Sequence, residues 1–324
     1  MELKVQPFVI SLQHATAQIV PKQAKGRPLL FANWSLILFF IVMAFKKITA
    51  FKAMEAYAKK HYASFGFPKP PSRQTLMRRF GEMSECLKKL MPALTEQAIE
   101  LDLIDRKRFG FCDKSIFTAF RGYVWHKKHR LQNAVPSKHI DTAASWAKSA
   151  YHDWRYGYGL IIVSSANRFP MNACVETASY KEVHVLPDLL KPLAAWLFVV
   201  VGDKAYHNIR GITNIYKSLK IIVLSPCAFV HESRENRWYN RLWNDLSTVL
   251  QTLYFERKKS IEPVFSLIKE LFDLKWNTPL PYKSKEKVEP YLLLLTVSIQ
   301  LMMIQNNAKG QPLGSAKDFR SLFL

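Results

Sequence analysis

The sequence predicts an α/β fold, a mixed sheet with flanking helices, preceded by an all-helical N-terminal region. Two patterns carry that expectation. Between residues 29 and 90 apolar residues recur at helical spacing. From about Arg106 short apolar runs bounded by turn residues take over, three in succession and then alternating with helical stretches. Three strands followed by helix–strand alternation make a layered sheet.

In chain order, residues 29–46 are apolar nearly all round, and 51–62 repeat apolar residues at helical spacing. One Gly and three Pro then break the chain within 65–71. Ser72 is a natural N-cap for a third helix, in which Leu76, Phe80, Met83 and Leu87 follow a period near 3.6. Arg73, Gln74, Arg78 and Arg79 occupy its other faces. Three short helices, the last with Arg and Gln near its start, suit a helix-turn-helix entering a major groove. A solvated basic face on a small bundle explains the same residues.

Strands are expected at 109–113, 157–165, 171–176, 196–203 and 220–227, with helices at 180–193 and 206–219. Residues 231–259 are polar, basic and aromatic and are expected to cross the surface. Two helices close the chain: 259–274, with Ile261, Phe265, Ile268 and Phe272 on one face, and 288–304. The expected division is a helical DNA-binding domain over 1–105, a catalytic domain over 106–305 and a tail over 306–324.

Composition narrows the function. The chain has 324 residues, 47 Lys and Arg against 25 Asp and Glu, and a formal net charge of +22. Because 49% of residues are hydrophobic and 13% aromatic, the charge sits on a packed protein rather than a disordered basic tail. Such a charge favours polyanions, nucleic acid first. The apolar stretches 29–45 and 291–304 are interrupted by Asn33, Ser35, Ser298 and Gln300. A span needs about 20 apolar residues, so both read as buried helices, with no membrane partner. The N-terminus has no long apolar core, which points to a cytoplasmic, nucleoid-associated protein. Cys86, Cys112, Cys174 and Cys227 form no Cys-x-x-Cys pair, so free, mostly buried thiols are expected. His126 and His129 have no nearby acid, and no Gly-rich phosphate loop precedes a helix.

Three acids stand where chemistry is expected. Asp113 follows Phe-Gly-Phe-Cys and Asp203 follows Val-Val-Val-Gly, each at the expected carboxyl end of a strand, where ligands of α/β sheets collect. Either acid alone is equally a turn former or a helix cap. Glu262 precedes Pro263, which is expected to mark a first helical turn, so Glu262 should lie near a helix N-terminus. A step of seven residues puts Lys269 on nearly the same face. Two carboxylates on strands and one on a packed helix can hold two divalent metals about 4 Å apart for phosphodiester chemistry. A solvent-exposed Glu in an amphipathic helix is the plainer account of Glu262.

Asp113, the VVVGDKAYHN run around Asp203 and the SIEPVFSLIKE run around Glu262 resemble the three catalytic blocks of bacterial insertion-sequence transposases of the DDE class. The family's third block reads Tyr, two residues, Arg, three residues, Glu, six residues, Lys. Glu262 and Lys269 match its second half. Strict spacing lands on Phe255 and Lys258 in the first half, while Tyr254 and Arg257 keep their mutual spacing one residue further from Glu262. Either Lys258 takes the role of Arg, or a one-residue shift has moved it. Ala205 replaces a common Gly after Asp-Lys, Lys114 stands between Asp113 and Ser115, and Gly159 replaces the Lys of a common Gly-Tyr-Lys. Strand alternation points Lys114 away from Asp113.

The resemblance implies a ribonuclease H-like domain that uses Mg²⁺ or Mn²⁺, two ions in all, held by Asp113, Asp203 and Glu262. It implies cleavage at transposon ends and joining of the 3′-hydroxyl to target DNA, with a homodimer on double-stranded DNA carrying inverted repeats. Tyr254, Arg257, Lys258 and Lys269 would then face phosphates near the scissile bond. The basic aromatic runs 121–130 and 234–243 could track a backbone or stack an unpaired base. The alternatives are a transposase-derived DNA-binding protein without chemistry, and a metal-dependent nuclease without strand transfer.

Overall fold

The sheet is built around β1 (Phe109–Thr118), which pairs antiparallel with β3 (Asp153–Ser165) on one side and parallel with β5 (Val199–Val201) on the other. β2 (Ser145–Ser149) and β4 (Pro170–Thr177) both pair antiparallel with β3, and β6 (Ile222–Leu224) pairs parallel with β5. The computed structural model describes residues 6–19, 30–104, 108–122, 139–149, 153–226, 234–245, 247–275 and 277–316. Among these, three consecutive antiparallel strands lead into parallel α/β units, which is the ribonuclease H-like mixed sheet expected from the sequence.

The helical N-terminal part is present and larger than expected. α1 (Gln6–Ile19) precedes α2 (Asn33–Phe45) and α3 (Phe51–His61). α4 (Arg73–Gly81) is capped as expected, the Ser72 hydroxyl accepting from the Thr75 amide at 3.2 Å. The third helix does not run on through Leu87. It breaks at Glu82 and Met83, and a separate α5 (Ser84–Glu100) follows. Every residue of α2 from Ser35 to Phe45 is buried, which explains why this stretch has no polar face.

Between β4 and β5, α6 (Leu186–Leu190) is only a short helix flanked by 3₁₀ turns, shorter than the helix expected over 180–193. Pro187 and Pro192 lie in the first turns of two successive short pieces, and each removes a helical donor. α7 (Ile209–Leu219) is capped by Asn208, whose side chain accepts from the Gly211 amide at 3.0 Å. In the surface crossing expected over 231–259, the described residues are helical. They form α8 (Arg234–Asp245) and the first half of α9 (Ser247–Leu271). The last helix, α10 (Lys285–Ala308), is longer than expected.

Pro263 therefore lies inside α9 and does not mark its start. A proline there leaves the carbonyl four residues back without its helical donor. That carbonyl belongs to Lys259, and the Arg168 Nε donates to it at 3.1 Å. The loop between β3 and β4 thus completes the hydrogen bonding of α9, and Ser260 Oγ fastens the same region by donating to the Ala166 carbonyl at 3.2 Å.

α10 joins the two parts of the fold. It is long and apolar enough to cross a membrane by length and composition, and 94% of its apolar window is buried within the protein. Gln300 Nε2 donates to the carbonyls of Met91 on α5 (3.0 Å) and Pro170 on β4 (2.8 Å). Thr95 Oγ1 of α5 donates to the Met171 carbonyl at 2.7 Å. A single continuous apolar cluster runs from Phe8 and Leu36 through Leu292 to Val200 and Ile268.

Candidate active site

The register of β1 and β5 sets two carboxylates side by side. Phe111 pairs with Val201, and two residues further along each chain come Asp113 and Asp203. Two steps return each side chain to its starting face. β1 does not end at Asp113 as expected but continues to Thr118 along β3. β5 is the strand that stops, so Asp113 lies beyond the end of its parallel neighbour, at the sheet rim where ligands collect.

Asp203 follows Gly202, and its side chain accepts from the Ala205 amide at 2.9 Å, opening a 3₁₀ turn over Lys204–Tyr206. The cap and the rim position are one and the same feature. Gly202 is required, because an added Cβ would fall 2.7 Å from the Tyr206 ring. That ring is buried, and its hydroxyl faces the Cys112 thiol without the geometry of a full hydrogen bond. Burial pushes the Cys112 thiol well above its ordinary value, so it stays protonated. Cys86, Cys112 and Cys174 are free thiols, and Cys227 lies outside the described residues.

Asp113 is held by Arg257 of α9, whose guanidinium donates to Oδ2 at 2.5 Å, while the Lys114 amide donates to Oδ1 at 2.8 Å. Burial pushes the Asp113 carboxyl up to about 6, Arg257 opposes the rise, and the neighbouring Asp203 carboxylate adds to it. The Arg257 Nε is buried with no acceptor among the described residues. Its guanidinium carbon lies 5.2 Å from the centroid of the Tyr254 ring.

The third block departs from expectation. Arg257, Ile261, Val264 and Ile268 are buried at helical spacing along α9. With three residues left between, as in the family signature, the position after Arg257 is Ile261. Glu262 is exposed one position round the helix, on the flank it shares with exposed Lys258 and half-buried Lys269. The Lys269 ammonium lies 5.7 Å from the centroid of the Phe117 ring, and burial together with Arg155 lowers its pKa. Glu262 is thus in mid-helix, away from any terminal dipole, because α9 begins at Ser247. The structure brings together Asp113, Asp203, Arg257 and Tyr254 and leaves Glu262 and Lys258 outside that group. Of the two candidates for the arginine position, Arg257 is the one that bonds Asp113.

A carboxylate pair in which Asp203 raises the proton affinity of Asp113 is a donor set that suits one shared divalent cation. No group of three His, Cys, Asp or Glu gathers among the described residues, so a two-ion site would need Glu262 to join them.

Aromatic residues of α8, from the basic aromatic run 234–243, brace this arrangement. His207 packs on Tyr239 (4.9 Å between ring centroids), Tyr239 on Trp243 (6.4 Å), and Trp243 on Tyr254 (6.5 Å), which meets Arg257. The Tyr239 hydroxyl donates to the Ser225 carbonyl at 2.8 Å beyond β6. The i, i+4 spacing of Tyr239 and Trp243 is the signal that marks one helical face. On the outer side Arg237, Trp238 and Arg241 are exposed, Trp238 at 64%. In the 121–130 run, 123–130 lie outside the described residues, including His126 and His129.

On α4, Arg73, Gln74 and Arg78 are exposed, while Arg79 turns inward to donate to Asn33 Oδ1 at 2.5 Å. Arg78 is paired with Glu82 at 3.2 Å on the same helix.

The profile of the transposase DDE domain matches residues 103–301, which span the whole sheet, both carboxylates and α9. The chain belongs to the transposase DDE-domain family. No curated protein sequence matches it. Among solved structures it is similar to a piggyBac transposase in a synaptic complex with hairpin DNA, seen by cryo-EM. The TM-score is 0.47 at 10% identity, over 99% of this chain and 76% of that one. At that distance the likeness adds nothing to the family assignment. The matched residues include Asp113, Asp203 and Glu262, the three acids expected to carry the chemistry.

Proposed function

We propose that this chain is a DNA transposase that binds inverted repeats, cleaves at the element's ends by metal-dependent hydrolysis and joins the freed 3′-hydroxyl to target DNA. The observation that carries the reading is the pairing of Asp113 with Asp203 at the sheet rim, fixed by the β1–β5 register. The two carboxylates would hold Mg²⁺ or Mn²⁺, and Glu262 would be the third donor. Bound metal supplies charge stabilisation at the scissile phosphate and a lowered pKa for the attacking water. Arg257, with its unpartnered Nε, is suited to pass from Asp113 to a phosphate oxygen as DNA enters. Tyr254 keeps its guanidinium oriented during that exchange. Lys258 and Lys269 line the flank on which the strand would lie, and Arg237, Trp238 and Arg241 extend that basic surface.

In this proposal residues 1–105 recognise the repeats, with Arg73, Gln74 and Arg78 of α4 facing a groove and Arg79 holding α4 to α2. The protein acts as a homodimer in the cytoplasm, at the nucleoid, because two ends must meet. One observation favours the rival reading of a DNA-binding protein that has lost its chemistry: the outward position of Glu262. A mini-transposon assay in Mg²⁺ decides between them. The wild type should give cleaved and joined products, and Asp203→Ala and Glu262→Gln should give none. Activity in Asp203→Ala refutes the catalytic assignment, and cleavage without joining makes the protein a nuclease.

A further inference from the structure

Lys114 of β1 and Gly159 of β3 meet in space. Lys114 follows Asp113 and points to the opposite face of β1, where it crosses Gly159 of β3. A Cβ at position 159 would fall 2.6 Å from the Lys114 Cδ. The Lys114 ammonium is fully engaged. It pairs with Glu182 at 2.6 Å and donates to the carbonyls of Ala178 and Tyr180, each at 3.1 Å. Both ends of the ion pair are mostly buried, at 13% and 12% side-chain exposure. Glu182 opens a 3₁₀ turn (Glu182–His184) that packs against the turn Lys204–Tyr206, which Asp203 caps. Cys112 and Tyr206 lie close enough to Glu182 to feel its charge.

From these contacts we infer that Lys114 is a positioning residue for the Asp203 turn, and that its ammonium cradle can be filled equally from position 159 of β3, whose side-chain space the Lys114 stem now occupies. A lysine rooted at position 159 would start beside the middle of the present Lys114 chain and has more than enough reach to put its ammonium in the same cradle. Gly159 is glycine because the Lys114 stem occupies its side-chain space. The inference rests on the reading of Asp113 and Asp203 as the catalytic pair, and amide hydrogen exchange tests it without reference to activity.

In Lys114→Met, exchange at the amides of 203–207 and 178–184 should accelerate about tenfold, and end-cleavage should fall about 10- to 100-fold, as for lost partners of metal ligands. The double variant Lys114→Ser with Gly159→Lys should return both readouts to near the wild-type level. Gly159→Lys alone should fail, because both lysines compete for one space. Exchange at 203–207 unchanged in Lys114→Met overturns the positioning role. A folded double variant as impaired as Lys114→Met overturns the claim that the cradle can be filled from β3, and normal cleavage despite faster exchange removes any link to catalysis. Equal activity of wild type and Asp203→Ala would instead count against the catalytic reading, leaving the exchange result to stand for Lys114.

Discussion

Burial and Arg257 pull the Asp113 carboxyl in opposite directions, and burial prevails. The fold favours the protonated form of Asp113, moving it from 3.8 to about 6. Its contribution to stability is therefore complete below about pH 4 and is lost as the pH rises through 6, a change worth at most about 3 kcal/mol. Asp113→Asn removes that dependence, so between pH 4 and 6 the wild type should lose about 2 kcal/mol of unfolding free energy in urea relative to the variant. A constant difference would contradict the shift. Arg257→Met leaves a mostly buried carboxylate without its cation, and should cost about 3 kcal/mol in unfolding free energy. Lys258→Ala, on the exposed flank, should change stability by less than about 0.5 kcal/mol. Equal effects of the two substitutions would count against Arg257 as the partner of Asp113.

At the scale of elements, the sequence was readable where one physical signal acted alone and misleading where two acted together. The Val199–Val201 run and the apolar β3 are buried strands by composition, and Ser72 is a cap by chemistry; each was legible. Asp-Lys-Ser reads as the end of β1, yet the strand runs on to Thr118 and its polar residues have partners on both faces. α9 was given a false start at Pro263, since the compensating donor, Arg168, lies far away in the chain. That compensation is measurable. Pro263→Ala should stabilise by less than the roughly 3 kcal/mol expected for an interior proline, because the Lys259 carbonyl is already bonded. Arg168→Ala should destabilise the wild type more than the Pro263→Ala background, with a coupling of about 0.5 to 1 kcal/mol in a double-mutant cycle. No coupling would mean that water serves that carbonyl equally well. Glu262 remained ambiguous for a related reason: spacing along a helix gives the angle between residues, not which line faces the sheet, and only contact with Asp113 showed that Arg257 and Ile261 lie on that line.

Over the whole molecule, charge and core act on different partners. With a net charge of +22, log K for DNA should fall linearly with log salt, by about 0.9 for each phosphate neutralised. A flat dependence would deny the basic surface its role. The apolar cluster is continuous from α1 to the sheet, so unfolding should be one cooperative transition, seen alike by helical and aromatic circular dichroism. Leu292→Ala at the centre of α10 should lower it as a unit, by about 2 to 5 kcal/mol; two separated transitions would show independent halves. The burial of α10 also imposes an order on biosynthesis. The ribosome finishes α1, α2 and α5 long before the helix that covers them, so most of the nascent chain must wait with its greasiest surfaces uncovered. A product terminated before residue 285 would keep every acid of the candidate site and still be insoluble.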